Sequence, residues 1–243
     1  MSYIGRCLDS LIQSDTPNEQ LQVIVVDGQS DDGTRDILDA YAEKYPFIEW
    51  IDNHARVTPV AMNLGFKHKR YDFGLLMGAH STIATDYIEI CRKILKDDPK
   101  IACVGGVIEN IYEDETSRTI GLAMSSPFGV GNAHFRTGGF EGPVDTVGTP
   151  LFRAGILEEV GFFNEALKRN QDDELNYRIR KAGYTIWLTS QTTFKYWVRA
   201  SYPKLVRQYR QYGYWKVYVN RMHKTVTTVR QLVPMGFLVY FMV

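Results

Sequence analysis

The sequence contains no acidic residue after Glu174, and this absence divides it into two halves of opposite character. All 28 Asp and Glu residues lie at or before Glu174, together with 16 of the 28 Lys and Arg residues, so residues 1–174 carry a formal −12 and residues 175–243 a formal +12. The overall balance of zero is therefore misleading, and the basic half is suited to an anionic partner such as a membrane surface or phosphates. Cysteine is scarce. Cys7, Cys91 and Cys103 are odd in number and have no CxxC spacing, which argues against a zinc site and fits a reducing compartment. No GxGxxG is present, which disfavours a nicotinamide or flavin dinucleotide site. The basic stretch Lys195–Arg230 carries no known nucleic-acid motif, so no nucleic-acid partner is expected. His54, His68, His134 and His223 show no ligand spacing and are expected at the surface or in loops.

No apolar run reaches the roughly 20 residues that span a bilayer. Leu232–Val243 is twelve residues without a charge, preceded by Lys216, Arg221, Lys224 and Arg230, the flank expected on a cytoplasmic face. The expectation is the start of a transmembrane segment at 231–243, with a buried helix or an interfacial segment as the alternatives. At the other end, Met1–Leu11 contains Arg6 and Asp9 and lacks the apolar core of a secretory leader.

The chain is otherwise an ordinary globular mixture, 44% hydrophobic and 23% charged. Strands and helices alternate. Gln22–Val26 reads as a strand buried on both faces, followed by helices at 34–44 and 59–68 and a second buried strand at 73–77. A helix at 86–95, a strand at 101–111, a strand at 144–152, a helix at 172–181 and a short strand at 185–188 follow. Residues 112–142 read as a long loop or a broken helix. Such alternation predicts an α/β fold with a mainly parallel sheet and helices on both faces, whose ligands lie beyond the carboxyl ends of the strands. The expected division is a main domain at 1–190, a basic amphipathic membrane-interface region at 191–230 and the apolar end at 231–243.

Five constellations carry chemistry. Asp27 ends the first strand and opens the turn Gly28-Gln29-Ser30-Asp31-Asp32-Gly33, where a carboxylate can accept from a nucleobase or ribose. Arg56 starts the helix containing Ala61-Met62-Asn63-Leu64-Gly65; its guanidinium suits a base or diphosphate, or is simply solvated. Gly78-Ala79-His80 follows the second buried strand. Asp172-Asp173-Glu174 open a helix, where acids suit the dipole, with Asn170 as its cap and Glu174 paired to Arg178. Gln211-Tyr212-Gly213-Tyr214-Trp215 lies in the basic half, either an acceptor site or an interfacial helix with aromatic anchors.

Asp27–Thr34 resembles the VDDGSxDGT signature of family 2 glycosyltransferases, and the later motifs occur in the same order. The resemblance covers nearly the whole chain and is similar to the succinoglycan-type polysaccharide enzymes. It implies a GT-A fold, Rossmann-like, and transfer of a sugar with inversion from a nucleoside diphosphate sugar to a saccharide or lipid-linked acceptor in polysaccharide or cell-envelope biosynthesis, at the cytoplasmic face of the cell membrane. It implies that Asp27, Asp32 and Arg56 bind the nucleotide sugar, that Asp172 is the general base, and that Asp173, Gln211 and Trp215 meet the acceptor. The family's metal-binding Asp-x-Asp stands here as Gly78-Ala79-His80, so a divalent cation (Mn or Mg) has only His80 as a ligand. The family also opens with a strand and a Pro-x-Tyr-Asn loop that have no counterpart before Tyr3. Gly78 and this missing strand motivate an alternative, a catalytically degenerate relative that binds nucleotide sugars.

Overall fold

The computed structural model describes residues 3–131 and 133–228, with positions 232, 233, 236 and 240. Helix α1 (Tyr3–Ile12) leads to β1 (Val23–Asp27), α2 (Thr34–Lys44), β2 (Ile48–Asp52) and α3 (Thr58–His68). Strands β3 (Phe73–Leu75) and β4 (Ser81–Ile83) precede α4 (Tyr87–Asp97) and the long β5 (Ile101–Ile111). Residues 112–142 form a broken helix: α5 (Glu115–Ser125), α6 (Pro127–Val130) and α7 (His134–Thr137). Asp114 starts α5 with a reciprocal cap, its Oδ1 accepting from the Ser117 amide at 2.7 Å while Ser117 Oγ accepts from the Asp114 amide at 3.0 Å. Strands β6 (Gly142–Val144) and β7 (Leu151–Arg153), α8 (Ala154–Val160), α9 (Gln171–Lys181), β8 (Thr185–Trp197) and α10 (Tyr202–His223) follow.

The alternation is as expected, but the pairing is mixed rather than mainly parallel. Parallel pairs join β1 to β2 and β5 to β8, whereas β3–β7, β5–β7, β4–β8 and β6–β8 are antiparallel. The reason is local. The expected strand at 144–152 is two short strands, β6 and β7, separated by a loop, and each returns antiparallel to a longer neighbour. The expected strand at 185–188 runs on to Trp197, because Thr192-Thr193-Phe194-Lys195-Tyr196-Trp197 is rich in β-branched and aromatic residues that suit a pleated surface. A domain boundary at 190 thus falls inside β8.

The sheet is also divided. Strands β1 and β2 pair only with each other, apart from a six-stranded sheet ordered β3-β7-β5-β8-β4 with β6 beside β8. One edge of β1 and one edge of β3 therefore have no strand partner among the described residues. Val23 to Val26 are half-buried, not buried on both faces as expected, and only Asp27 at the strand end is enclosed.

Two apolar layers sandwich the larger sheet. Tyr87, Cys91 and Leu95 of α4 cover Ile101, Val104 and Ile108 on one face, and Leu157, Leu175 and Ile179 of α8 and α9 cover Cys103 and Ile186 on the other. A third cluster joins Leu8, Leu38 and Ile48. The interruption Gly105-Gly106 is steric: a Cβ on Gly105 would lie 2.6 Å from the Gly148 carbonyl oxygen. The fully buried Tyr87 hydroxyl accepts from the Gly106 amide at 2.9 Å and donates to the Thr149 carbonyl at 2.7 Å, which fixes the 145–150 loop over β5. The cysteines are free and buried, and burial pushes the Cys7 thiol up to about 12. No helix among the described residues is long and apolar enough to cross a membrane. The expected start of a transmembrane segment at 231–243 lies, save for four positions, outside the described residues.

Candidate active site

The first pole lies at the carboxyl ends of β1 and β2. Asp27 is 5% exposed. Its Oδ2 accepts from the Ser30 amide and from Arg35 Nε, both at 2.9 Å, and its Oδ1 accepts from Ser30 Oγ at 2.6 Å. Burial pushes the Asp27 carboxyl up, but the Ser30 and Arg35 hydrogen bonds outweigh it and hold the group below the ordinary range. Arg35 also bonds Asp52 and lies 5.2 Å over the Trp50 ring, so one guanidinium ties the two strand ends together. Asp32 is exposed, and its Oδ1 accepts from the Thr34 amide at 3.2 Å, a contact at the start of α2. Arg56, at φ 54°, donates from Nε to Gln29 Oε1 at 3.0 Å, and Gln29 reaches His54 at 2.8 Å. The loops after β1 and β2 thus form one rim around Asp27.

The second pole is the amino end of α9. Asp172 is exposed to solvent, while Glu174 in the same turn is 1% exposed. Although Asp172 is exposed as a residue, its carboxyl is surrounded by protein. That surrounding mass, with the Asp173 charge, raises its pKa to about 6, partly offset by backbone hydrogen bonds and Lys216. Asp173 is held by Lys216 Nζ at 3.0 Å. Glu174 accepts from Arg178 at 2.8 Å through both oxygens and from His223 Nε2 at 2.9 Å. Arg178 also donates to the carbonyls of Val160 and Gly161 at 2.6 Å and Phe162 at 2.7 Å. Glu174 and Arg178 therefore shape the turn that leads into the site, in line with the i,i+4 pairing read from the sequence. Asn170 stands at the cap position, but makes no side-chain cap bond. It adopts φ 59° and donates its amide to the Tyr212 carbonyl at 3.1 Å. His223, expected at the surface, is instead enclosed against Glu174, with its ring 4.7 Å from Tyr177.

Asn63 links the two poles. It is 4% exposed; its Nδ2 donates to the Phe163 carbonyl and its Oδ1 accepts from the Phe163 amide, both at 2.9 Å. The helix behind the first pole therefore grips the loop that delivers α9. Helix α10 closes the second pole. Gln211 accepts from Arg169 Nε at 3.0 Å, and Tyr212 lies within electrostatic reach of Asp172, Arg136 and Arg169. Trp215 is half-buried on the same helix, its ring meeting Tyr214 at 5.7 Å and Tyr218 at 5.6 Å. The structure thus brings Asp172, Asp173 and Gln211 together.

Lys216, His223, Arg169, Arg136 and Arg35 were not anticipated from the sequence. For α10 a signal existed: Tyr212, Lys216, Val219 and His223 follow the i, i+4, i+7, i+11 spacing of one helix face.

The candidate cation site fares differently. Gly78 has no side chain to offer, and His80 Nδ1 is buried without a hydrogen-bond partner, its ring tilted against that of Tyr3 with centroids 4.4 Å apart. Burial, with Arg199, lowers the His80 pKa, which favours the neutral imidazole a metal needs. Among the described residues no three His, Cys, Asp or Glu side chains converge. One imidazole without a carboxylate does not make a hard-cation site, so these residues do not by themselves fit a protein-held Mn²⁺ or Mg²⁺.

A mixed sheet covered by helices on both faces, with an acid ending β1 and an acid-opened helix α9, fits the GT-A class of glycosyltransferase fold. The chain superposes with TM-score 0.66 on the mannosyltransferase PcManGT from Pyrobaculum calidifontis in complex with GDP-Man and Mn²⁺, at 19% identity, covering 91% of this chain and 60% of that one. It superposes with TM-score 0.64 on S. aureus TarS 1–349 in complex with UDP-GlcNAc, at 18% identity, covering 82% and 56%. It therefore spans a little over half the length of these solved chains. Residues 1–161 match the model of Glycosyl transferase family 2, and the chain belongs to that family: it is a glycosyltransferase. Asp172 lies beyond the matched span. In sequence the chain is 29% identical over 243 residues to the succinoglycan biosynthesis protein ExoA of Rhizobium meliloti, covering 97% of this chain and 71% of the relative. It is also 29% identical over 245 residues to a dolichyl N-acetyl-α-D-glucosaminyl phosphate 3-β-D-2,3-diacetamido-2,3-dideoxy-β-D-glucuronosyltransferase of Methanococcus voltae, covering 97% and 75%.

Proposed function

We propose that this chain transfers a sugar, with inversion, from a nucleoside diphosphate sugar to a saccharide or lipid-linked acceptor in polysaccharide biosynthesis, at the cytoplasmic face of a membrane. The observation that carries this reading is the contrast within one helical turn. Asp173 and Glu174 are tied to Lys216, Arg178 and His223, whereas Asp172 is exposed as a residue and its carboxyl bonds no cation. An acid raised to about 6 and still ionised at neutral pH suits a general base. In the step, an acceptor hydroxyl oxygen attacks the anomeric carbon as its proton passes to Asp172. The anomeric carbon–oxygen bond to the diphosphate breaks, and that electron pair leaves with the nucleoside diphosphate. Arg136 and Arg169 supply positive charge near Tyr212, and Lys216 supplies it beside Asp172. His80 is the one side chain of the Gly78–His80 loop that would ligate a divalent cation, which would supply positive charge to the diphosphate if bound. Asp27, Arg56 and the rim around them are the candidate nucleotide site, and the names of ExoA and the M. voltae enzyme support the polysaccharide and lipid-linked acceptor classes.

Gly78 favours a second reading, in which the chain binds a nucleotide sugar without transferring it. Nucleoside diphosphate release with several donors and Mn²⁺, for the parent and Asp172→Asn, separates the two. Turnover by the parent that falls by about 10²–10⁴ in the variant supports transfer with Asp172 as base. Donor binding by calorimetry without release supports the second reading. Turnover that survives Asp172→Asn removes the base assignment.

A further inference from the structure

Helix α10 has two faces of opposite character. Its inner face holds the acid turn: Gln211 meets Arg169 at 3.0 Å, the Tyr212 carbonyl meets Asn170 at 3.1 Å, Lys216 meets Asp173 at 3.0 Å and His223 meets Glu174 at 2.9 Å, around the buried Val219. At about 100° per residue, Val206, Arg210, Gly213, Tyr214, Val217 and Arg221 fall on the opposite stripe. Val206 is 68% exposed, Tyr214 70% and Val217 52%, with the exposed Tyr202, Tyr209 and Tyr218 at the margins. A stripe of this size and apolarity on one helix marks a surface that something else covers.

The chemistry favours a lipid surface as that partner. Valines, tyrosines and arginines alternate along the stripe, and neither the helix nor any residue after Glu174 carries an acid. Valine side chains suit the acyl boundary, tyrosines the headgroup level and arginines lipid phosphates, and the uniform positive charge is complementary to an anionic leaflet.

We propose that the outward face of α10 lies in the interface of an anionic bilayer and thereby holds the active site against it. A helix is about 10 Å across with its side chains, and the acid turn packs directly on the inner face. The hydroxyl presented to Asp172 is then about one helix diameter from the headgroups. This selects an acceptor anchored in that bilayer through one or a few sugars over a long soluble polymer. The acceptor half of this inference rests on the transferase reading; the docking half does not.

The test uses the full chain in vesicle flotation, with phosphatidylcholine alone or mixed with phosphatidylglycerol. The parent is expected to float with the mixed vesicles. Val206→Glu with Val217→Glu, or Arg210→Gln with Arg221→Gln, should each weaken that partition by about tenfold or more, at about 1 kcal/mol per basic residue at the surface. Melting temperature and donor binding by calorimetry should stay unchanged. Transfer to a lipid-linked acceptor in the vesicles should fall in parallel with flotation. Failure of the parent to float, or variants that float as well as the parent, overturns the docking surface. Variants that lose flotation but keep full transfer to the vesicle-borne acceptor overturn the acceptor inference. Absence of donor binding in the parent sinks the transferase reading and leaves the flotation result standing.

Discussion

Lys216 Nζ lies 3.0 Å from Asp173 Oδ2, with both side chains largely enclosed, at 14% and 24% exposure. This pair joins α10 to the first turn of α9 across 43 residues of sequence. It also places a cation beside Asp172, where it opposes the rise in that carboxyl's pKa.

Lys216→Met is therefore expected to raise the Asp172 pKa further, because Asp173 loses its partner and Asp172 loses a nearby positive charge. The base is active when ionised, so the acid limb of the rate profile moves to higher pH. A rise of about one unit cuts the ionised fraction at pH 6.5 about threefold. A plot of kcat/KM against pH reads this directly: the deficit appears near pH 6.5 and closes above about pH 8.

Asp172→Asn should trade activity for stability. The folded-state pKa of about 6 exceeds the ordinary 3.8, so the folded protein holds the proton more tightly than the unfolded chain. Stability therefore falls as pH rises through the window from 3.8 to about 6, and the deficit is complete above it. The variant is expected to melt higher than the parent at pH 7.5 and at the same temperature near pH 3.5. Thermal unfolding followed by circular dichroism at both pH values checks the sign.

Arg178→Met removes one of the two partners of the buried Glu174 carboxylate and the donor to three backbone carbonyls. Breaking such a pair costs about 3–5 kcal/mol, and urea unfolding should show it as a lower midpoint. Asn63→Ala leaves the Phe163 amide and carbonyl unpaired in the interior, at about 1–3 kcal/mol. Because Asn63 grips the loop delivering α9, its loss should also lower kcat in the fraction that remains folded.

Gly78 can be changed without steric cost, since a Cβ there meets nothing within 4 Å. Gly78→Asp would add the hard oxygen ligand that the sequence lacks. Mn²⁺ titrated in the presence of nucleoside diphosphate, with the free ion followed by electron paramagnetic resonance, should bind more tightly to the variant than to the parent. Equal binding would show that the Gly78–His80 loop does not face the cation.

Sequence showed those parts of the site where chemistry and local geometry coincide. Asp27 stood out as an acid ending a strand, whereas acids at a helix start are ordinary, so Asp172 stood out only through the resemblance to family 2 glycosyltransferases. Helices α2, α3, α4 and α9 were legible from spacing and caps. What joins them was not. Lys216 with Asp173 and Asn63 with Phe163 are contacts across 43 and 100 residues, and no local pattern encodes them. The direction of strand pairing was hidden for a related reason: β3 and β7 are three residues each, too short to show a period, and their antiparallel contact is set by loops. The second half of β8 escaped because Thr189 and Thr192 are polar yet buried, Thr192 satisfied by donating to Asp86 at 2.6 Å. His223 was misjudged because its partner, Glu174, lies 49 residues earlier.

The division between β1–β2 and the larger sheet bears on how this molecule opens. Hydrogen exchange should separate two cooperative units. Amides of β5, bonded on both sides by β7 and β8, should exchange only through global unfolding, while those of β1 that point to its free edge should exchange through small local fluctuations. The same free edges are templates for chain-to-chain pairing. Concentrated solutions should therefore associate through such strand edges first, so the borders of the sheets, and not the helices that cover them, set the shelf life of this molecule.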